Sequence, residues 1–315
     1  MARKVPATVV LAMQEHRLRL QGTLARGSAR RLKGLYDDAQ GALTARLRRT
    51  VGRGDTFTAH QQRMALAQVR EGQAVISRRL AGTLREETRG AQEASLRGLA
   101  DDIGRLHRRF TGSEIVLPIE EAARFRGVID RRGTSLLRMH RTSMARYGAR
   151  IVEEVEGELA LSLLSAEAPA AAMDRVAEAI DGAWWQGERI VRTETAWAFS
   201  ATARDGIVES AGELDGLMQQ WVEHCDDEGR PLDDRVGVDS IALHQQVAPA
   251  GGLFTMPAEA PHPDARGQTK VHASLVGKAW PFPPNRPNDR SSLSPWMASW
   301  GVPGWRYVGG RRARM

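Results

Sequence analysis

Proline is nearly missing from the first half of this chain. Of fourteen prolines in 315 residues, only Pro6 and Pro118 precede Pro169, whereas all eight tryptophans lie between Trp184 and Trp305. Proline lacks an amide hydrogen and clashes with the preceding turn, so a stretch without it is free to run as long helices and a proline-rich one is not. Two architectures therefore follow one another: a helical, arginine-rich part over 1–168 and a mixed part over 169–295, closed by a Trp/Arg-rich tail over 296–315.

The apolar periodicity agrees with that division. Leu32, Leu35, Tyr36, Ala39, Leu43 and Leu47 recur at three- and four-residue steps, the spacing of an amphipathic helix, and Gly52-Arg53-Gly54-Asp55 ends it. Thr58-Ala-His-Gln61 has the form of a capping box, in which each side chain bonds the other residue's backbone amide. Leu66, Val69, Ile76, Leu80 and Leu84 continue from it as a second stripe, interrupted by Gln73. Pro118 suits the first turn of a short helix, and a longer helix carrying Met144, Tyr147, Ile151, Val155, Leu159 and Leu163 on one side runs on towards Pro169. Each stripe needs a buried side, which an elongated helical bundle supplies.

After Pro169 an alanine-rich helix to about Ile180 and a helix from about Trp184 to Ser210 are expected. The pattern then changes. Leu217 to Val222 suits a strand, Asp226 to Gly229 a turn, and Val247 to Met256 a short extended pair about Gly251-Gly252. Residues 257–295 are too rich in proline, glycine and polar residues for regular elements. Trp296, Trp300 and Trp305 either anchor a docking surface or close the core of the small domain. The chain as a whole reads as an α+β protein, predominantly α, with an elongated helical N-terminal region and a small C-terminal α+β domain.

Cys225 is the only cysteine, so an internal disulfide framework and a cysteine-rich zinc site are both ruled out. The apolar run after the basic N-terminus stops at Gln14-Glu15-His16, short of a signal or membrane span, and no membrane partner is expected. The net charge of +7 is carried almost wholly by arginine. Arg30, Arg31, Arg46, Arg48 and Arg49 have no acid beside them in the sequence and are the candidate DNA contacts, because phosphate neutralisation is blind to sequence. A solvated helical face is the other reading of the same residues.

Several residues invite a chemical role. Asp226, Asp227, Glu228, Asp233, Asp234 and Asp239 crowd one region without the spacing of a calcium loop. His224 and Cys225 are neighbours, and on a strand neighbours face opposite ways, so they do not form a nucleophile and base. Glu154 and Glu156 sit within a helical stripe. Arg192 and Glu194 lie two apart on a helix and so point to different faces. One of the two is expected to turn inward, where a buried charge demands a partner.

Taken in order, Arg192-Thr193-Glu194, Trp221, Asp233 or Asp234 with Arg235, Leu243-His244 with Gln246-Val247, and Pro283-Pro284 with Pro287, Asn288 and Arg290 resemble the signature of the head-morphogenesis minor capsid proteins of tailed phages, the family named after the Mu F protein. The resemblance covers about residues 185–291. It departs from the family in a coordinated way. Gly237 and Ser240 stand where the family's first cysteine pair would be, Asp289 and Ser291 where its second would be, Arg286 replaces a histidine and Gln245 a glycine. Four thiolates at such spacing can hold a tetrahedral metal, and these residues cannot. No zinc and no other cofactor is therefore expected, and the late loop must be held by proline stiffness and by hydrogen bonds from Asn288, Asp289 and Arg290.

The resemblance implies a minor structural protein of the phage head and not an enzyme. It would be bound at or near the portal on the inner side, with portal or major capsid protein as partner and genomic DNA as a further contact, assisting head assembly and DNA packaging or ejection. The alternatives are a toxin-type enzyme, an ADP-ribosyltransferase or nuclease, and a host DNA-binding scaffold protein. If closure is free of metal, a chelator leaves the thermal melting midpoint unchanged, whereas a lowered midpoint would reveal a metal site.

Overall fold

The computed structural model describes residues 7–52, 54–226, 228, 230–284, 289–300, 304–308 and 311–315. The fold is predominantly α, with small antiparallel sheets near its C-terminal end. Three long helices come first: α1 over Ala7–Val51, α2 over Ala59–Thr111 and α3 over Ala122–Leu164. A 3-10 turn, Pro118–Glu120, starts on its proline as the sequence suggests. Next come α4 (Pro169–Gly182), α5 (Trp184–Ser210), β1 (Met218–Val222), α6 (Val238–Leu243), β2 (Val247–Pro249), β3 (Phe254–Thr255), β4 (Ala279–Trp280), β5 (Ser292–Trp296), β6 (Trp305–Val308) and β7 (Arg311–Arg314).

The local signals act where they occur. At the start of α2 the Thr58 amide donates to Gln61 Oε1 at 2.8 Å and the Gln61 amide donates to Thr58 Oγ1 at 3.2 Å, so two donors left over at a helix start are satisfied reciprocally. Gln61 Nε2 also donates to the Val51 carbonyl across the break between α1 and α2.

The chain forms two compact units, and neither is continuous in sequence: one holds residues 1–25, 88–133 and 193–315, the other 26–87 and 134–192. The linear division at 168 and 295 does not describe this packing. Composition reports where residue types change. A helix of 45 or 53 residues can nevertheless lend its two ends to different cores.

The second unit is built on the stripes seen in the sequence. Leu32, Tyr36, Leu43 and Leu47 of α1, Val69, Ile76, Leu80 and Leu84 of α2, and Met144, Tyr147, Ile151, Val155 and Leu159 of α3 share one core with Val176, Ile180 and Trp184. Close approach of α2 and α3 uses Gly148, where an added Cβ would lie 2.3 Å from Ser77 Oγ. Tyr36 donates its hydroxyl to the Ile180 carbonyl at 2.7 Å, which settles a polar atom inside this core.

The first unit centres on a three-stranded antiparallel sheet in the order β2-β1-β5, with Trp221 opposite Leu293 and Val222 opposite Ser292. Two expectations are corrected here. β2 and β3 are extended but do not pair with each other: β2 joins β1, and β3 pairs with β4. Residues 292–296 form a fully buried strand inside a stretch read as irregular. Serines at 292 and 294 and a proline at 295 hide its strand character, and its position is decided by five residue pairs with β1. Trp296, Trp300 and Trp305 are buried, so they close the core, and Trp300 stacks on Phe110 with ring centroids 6.4 Å apart.

The beginning of α1 supplies a second surprise. Gln14, Arg17 and Gln21, spaced three and four apart, are all buried and reach the sheet. Gln14 donates to Gln220 Oε1 at 2.7 Å, Arg17 Nε to the Leu293 carbonyl at 3.1 Å and Gln21 to the Ser291 carbonyl at 2.9 Å. The β5 edge is thereby covered by a helix instead of standing open to another strand. Arg17 also meets Asp102 at 3.4 Å and lies over the Phe199 ring, so this arginine is a buried tie and not a phosphate contact. Trp221, wholly buried and edge-on to Phe254, is with Trp296 one of the two largest fully buried side chains in the sheet core. Trp221→Ala should cost about 3–5 kcal/mol in chemical denaturation, the usual range for an aromatic core truncation.

Candidate functional site

Several residues of the resemblance, and the positions of its absent cysteines, lie near the end of β1. Val222 closes that strand, and the next residue, Glu223, turns inward and is 2 % exposed. α6 begins beyond Gly237, whose extended backbone serves as its N-cap, and it carries Ser240, which is wholly buried. The late loop returns with Asp289, 6 % exposed, and Ser291, wholly buried, immediately before β5. Three of the four positions at which cysteines were expected and are absent, 240, 289 and 291, thus come together around Glu223.

Ser291 Oγ lies 2.6 Å from Glu223 Oε2 and 2.5 Å from Asp289 Oδ1. One hydroxyl carries one hydrogen, so Ser291 can donate to only one of the two carboxyl groups, and the other contact needs a proton on the carboxyl itself. Asp289 Oδ1 also accepts the Ser291 amide at 3.1 Å and the Ser240 hydroxyl at 3.3 Å, so it is the better supplied anion. Glu223 accepts the His224 amide at Oε1 and is held above the ordinary carboxylate range by burial and by the neighbouring Asp289. A neutral Glu223 donating to Ser291, which in turn donates to Asp289, satisfies all the distances. The buried charge is one, not two.

Arg290 and His244 complete the surroundings. Arg290 forms a two-pronged ion pair with Asp233, 2.7 Å from Nη1 to Oδ2 and 2.5 Å from Nη2 to Oδ1, which depresses the Asp233 pKa to about 2. Asp233 is therefore the partner, while Asp234 and Arg235 are exposed. His244, buried at the end of α6, accepts the Glu223 amide at Nδ1 and its carbonyl accepts Trp305 Nε1–H. Burial lowers its pKa to about 4, so it is neutral here. Leu243 is fully buried beside it and Pro284 is buried where the late loop begins; Pro287 and Asn288 lie outside the described residues.

The Arg192-Thr193-Glu194 step divides as its helical spacing requires. Arg192 is exposed and paired with Glu188 at 2.5 Å, Thr193 is half-buried and Glu194 is the inward member, 5 % exposed. The reactive readings of other residues lose their chemistry. Burial, with Glu223 and Asp226 nearby, pushes the Cys225 thiol well up, so it is no thiolate nucleophile. Glu154 pairs with Arg150 and Glu156 with Arg70. Asp226 accepts the amides of Glu228 and Arg230, closing a turn. Among the described residues no three His, Cys, Asp or Glu gather as metal ligands, and no helix is long and apolar enough to cross a membrane.

The arginines proposed for DNA require a correction. Arg31 binds Glu87, Arg46 binds Glu71 at 3.2 Å and Arg48 binds Asp174 at 2.7 Å, so three of the five have acids to pair with. Those partners lie 25 to 126 residues away and reach the arginines only through helix packing. Arg30 and Arg49 are exposed.

The buried joint at Glu223 ties a loop to a sheet. Its stability carries a pH signature. The folded state keeps a proton on Glu223 that the unfolded chain releases at ordinary glutamate pH, so the stabilisation is complete below that range and is lost as pH rises through the raised value. Glu223→Gln, which imitates the protonated acid, should flatten the alkaline fall of the melting midpoint. An unchanged slope would place the proton elsewhere.

No family model matches this chain, and neither a curated protein nor a solved structure does.

Proposed function

We propose that this chain is a minor structural protein of a tailed-phage head, docked at or near the portal or the inner capsid surface, where it assists head morphogenesis and DNA packaging or ejection. One observation carries the reading: positions 240, 289 and 291, where the family's cysteines would stand, meet at a single buried joint beside the signature tryptophan strand. A metal-tied closure and a hydrogen-bonded closure demand the same three-way convergence of strand, short helix and late loop. Serine, aspartate and glutamate achieve it here through one shared hydroxyl.

The character of the joint also favours a structural role. The carboxyl groups of Glu223 and Asp289 are buried, its histidine is neutral and its thiol is protonated, which suits a joint that holds backbone segments in register. In this reading the protein works by docking and electrostatics, with portal or major capsid protein as partner and the packaged genome as a neighbour.

Mass spectrometry of purified, DNA-filled particles tests the assignment. The chain should be retained through density-gradient purification at a few copies per particle. Its absence from particles, with the protein abundant in the host cell, would overturn the assignment and favour a host scaffold protein.

A further inference from the structure

Two helical segments of the second unit carry arginine and no acid at all. Residues 72–85 of α2 contain Arg78, Arg79 and Arg85; residues 134–152 of α3 contain Arg138, Arg141, Arg146 and Arg150; neither stretch has an aspartate or glutamate. The segments lie side by side and antiparallel. Ser77 faces Gly148, Arg70 pairs with Glu156 one way along the bundle, and Arg85 acts on His140 the other way. Arg78, Arg79, Arg138, Arg141 and Arg146 are exposed and form no ion pair among the described residues.

Many other cations of the unit are matched: Arg31 to Glu87, Lys33 to Asp37, Arg46 to Glu71, Arg48 to Asp174 and Arg175 to Glu158. Of the acids that flank the zone, Glu71 is engaged by Arg46 and Glu87 by Arg31, Glu154 pairs with Arg150 at the end of the α3 segment, and Glu86 and Glu153 are exposed. None of these five arginines is neutralised by a direct ion pair among the described residues. A positive field left standing on a folded surface draws anions, and it does so most strongly for a ligand with many closely spaced charges.

We infer that the paired segments 72–85 and 134–152 form a binding surface for the phosphate backbone of double-helical DNA. The composition of the zone selects that occupant. An acidic protein partner would need apolar or aromatic anchors at the centre of its footprint, and single-stranded nucleic acid would need aromatic platforms for its bases. Tyr147, the one aromatic residue in these segments, is buried in the core. What remains is a field of guanidinium groups spanning about 12 Å along α3, with Arg78 and Arg79 beside it on α2, enough to bridge neighbouring phosphates without reading a base. The inference extends the DNA-handling part of the proposed function but stands on charge and packing alone. It moves the contact from Arg46 and Arg48, which are occupied, to α2 and α3.

Fluorescence anisotropy with a mixed-sequence duplex, titrated with salt, tests it on the full-length protein. About four or five neutralised phosphates correspond to a log–log salt slope near −4, and the five-fold variant R78Q/R79Q/R138Q/R141Q/R146Q should lose at least about tenfold in affinity at low salt with a slope shallower by about 3. All five side chains are exposed, so an unchanged circular dichroism spectrum is expected. A triple variant R46Q/R48Q/R49Q should stay within about twofold of the wild type. Equal loss in both variants, no loss in the five-fold variant, or tighter binding of oligo-dT or polyglutamate than of the duplex would each overturn the inference. The assignment to the phage head is judged separately by particle content, and a failure here leaves it standing.

Discussion

A single serine hydroxyl placed between two buried carboxyl groups is the constraint around which the sheet-bearing unit is organised. Ser291 starts the approach to β5, Glu223 directly follows β1 and Asp289 lies on the loop that returns from the proline-rich segment. A buried anion is tolerable only when hydrogen-bonded, and two are tolerable only if one gives up its charge. The proton on Glu223 therefore belongs to the fold as much as any side chain does. Around it, the Arg290–Asp233 pair fastens the loop a second time, and His244 and Trp305 connect the same strand end to the C-terminal hairpin.

Such a joint depends on dryness. The beginning of α1 helps to provide that, since Gln14 bonds the Gln220 side chain of β1 while Arg17 and Gln21 donate to the carbonyls of Leu293 and Ser291 at the β5 edge. Buried glutamines and an arginine on the inner face of a helix would be costly mistakes in isolation. They become tolerable once acceptors on and beside the sheet receive their hydrogens. Charge in this protein has three separate uses: burial against the sheet, cross-helix pairing, and a zone in the middle of α2 and α3 that has no internal partner.

Much of the helical architecture was legible in advance because its causes are local. The Thr58–Gln61 capping box, the glycine break after Val51, Pro118 at its turn and the α5 boundaries at Trp184 and Ser210 all follow from backbone amides, side-chain reach and steric limits within a few residues. β5 was not legible, because Ser292-Leu-Ser-Pro-Trp296 has no strand pattern of its own and becomes a strand only by pairing with β1. Glu223 was missed for a related reason. Nothing beside it in the sequence shows that Asp289 will arrive next to it, although an acid that directly follows a buried strand was a signal that its carboxyl would need a partner.

The sequence alone determined where helices begin and end, which of their faces are apolar, and that no cysteine pair could tie the late loop, since each of these depends on residue type and short-range geometry. Only the tertiary structure decided which charges are neutralised, which residues share a core and where the loop is fastened. Those outcomes depend on groups tens to hundreds of residues apart being brought within about 3 Å, the range over which hydrogen bonds and close ion pairs act.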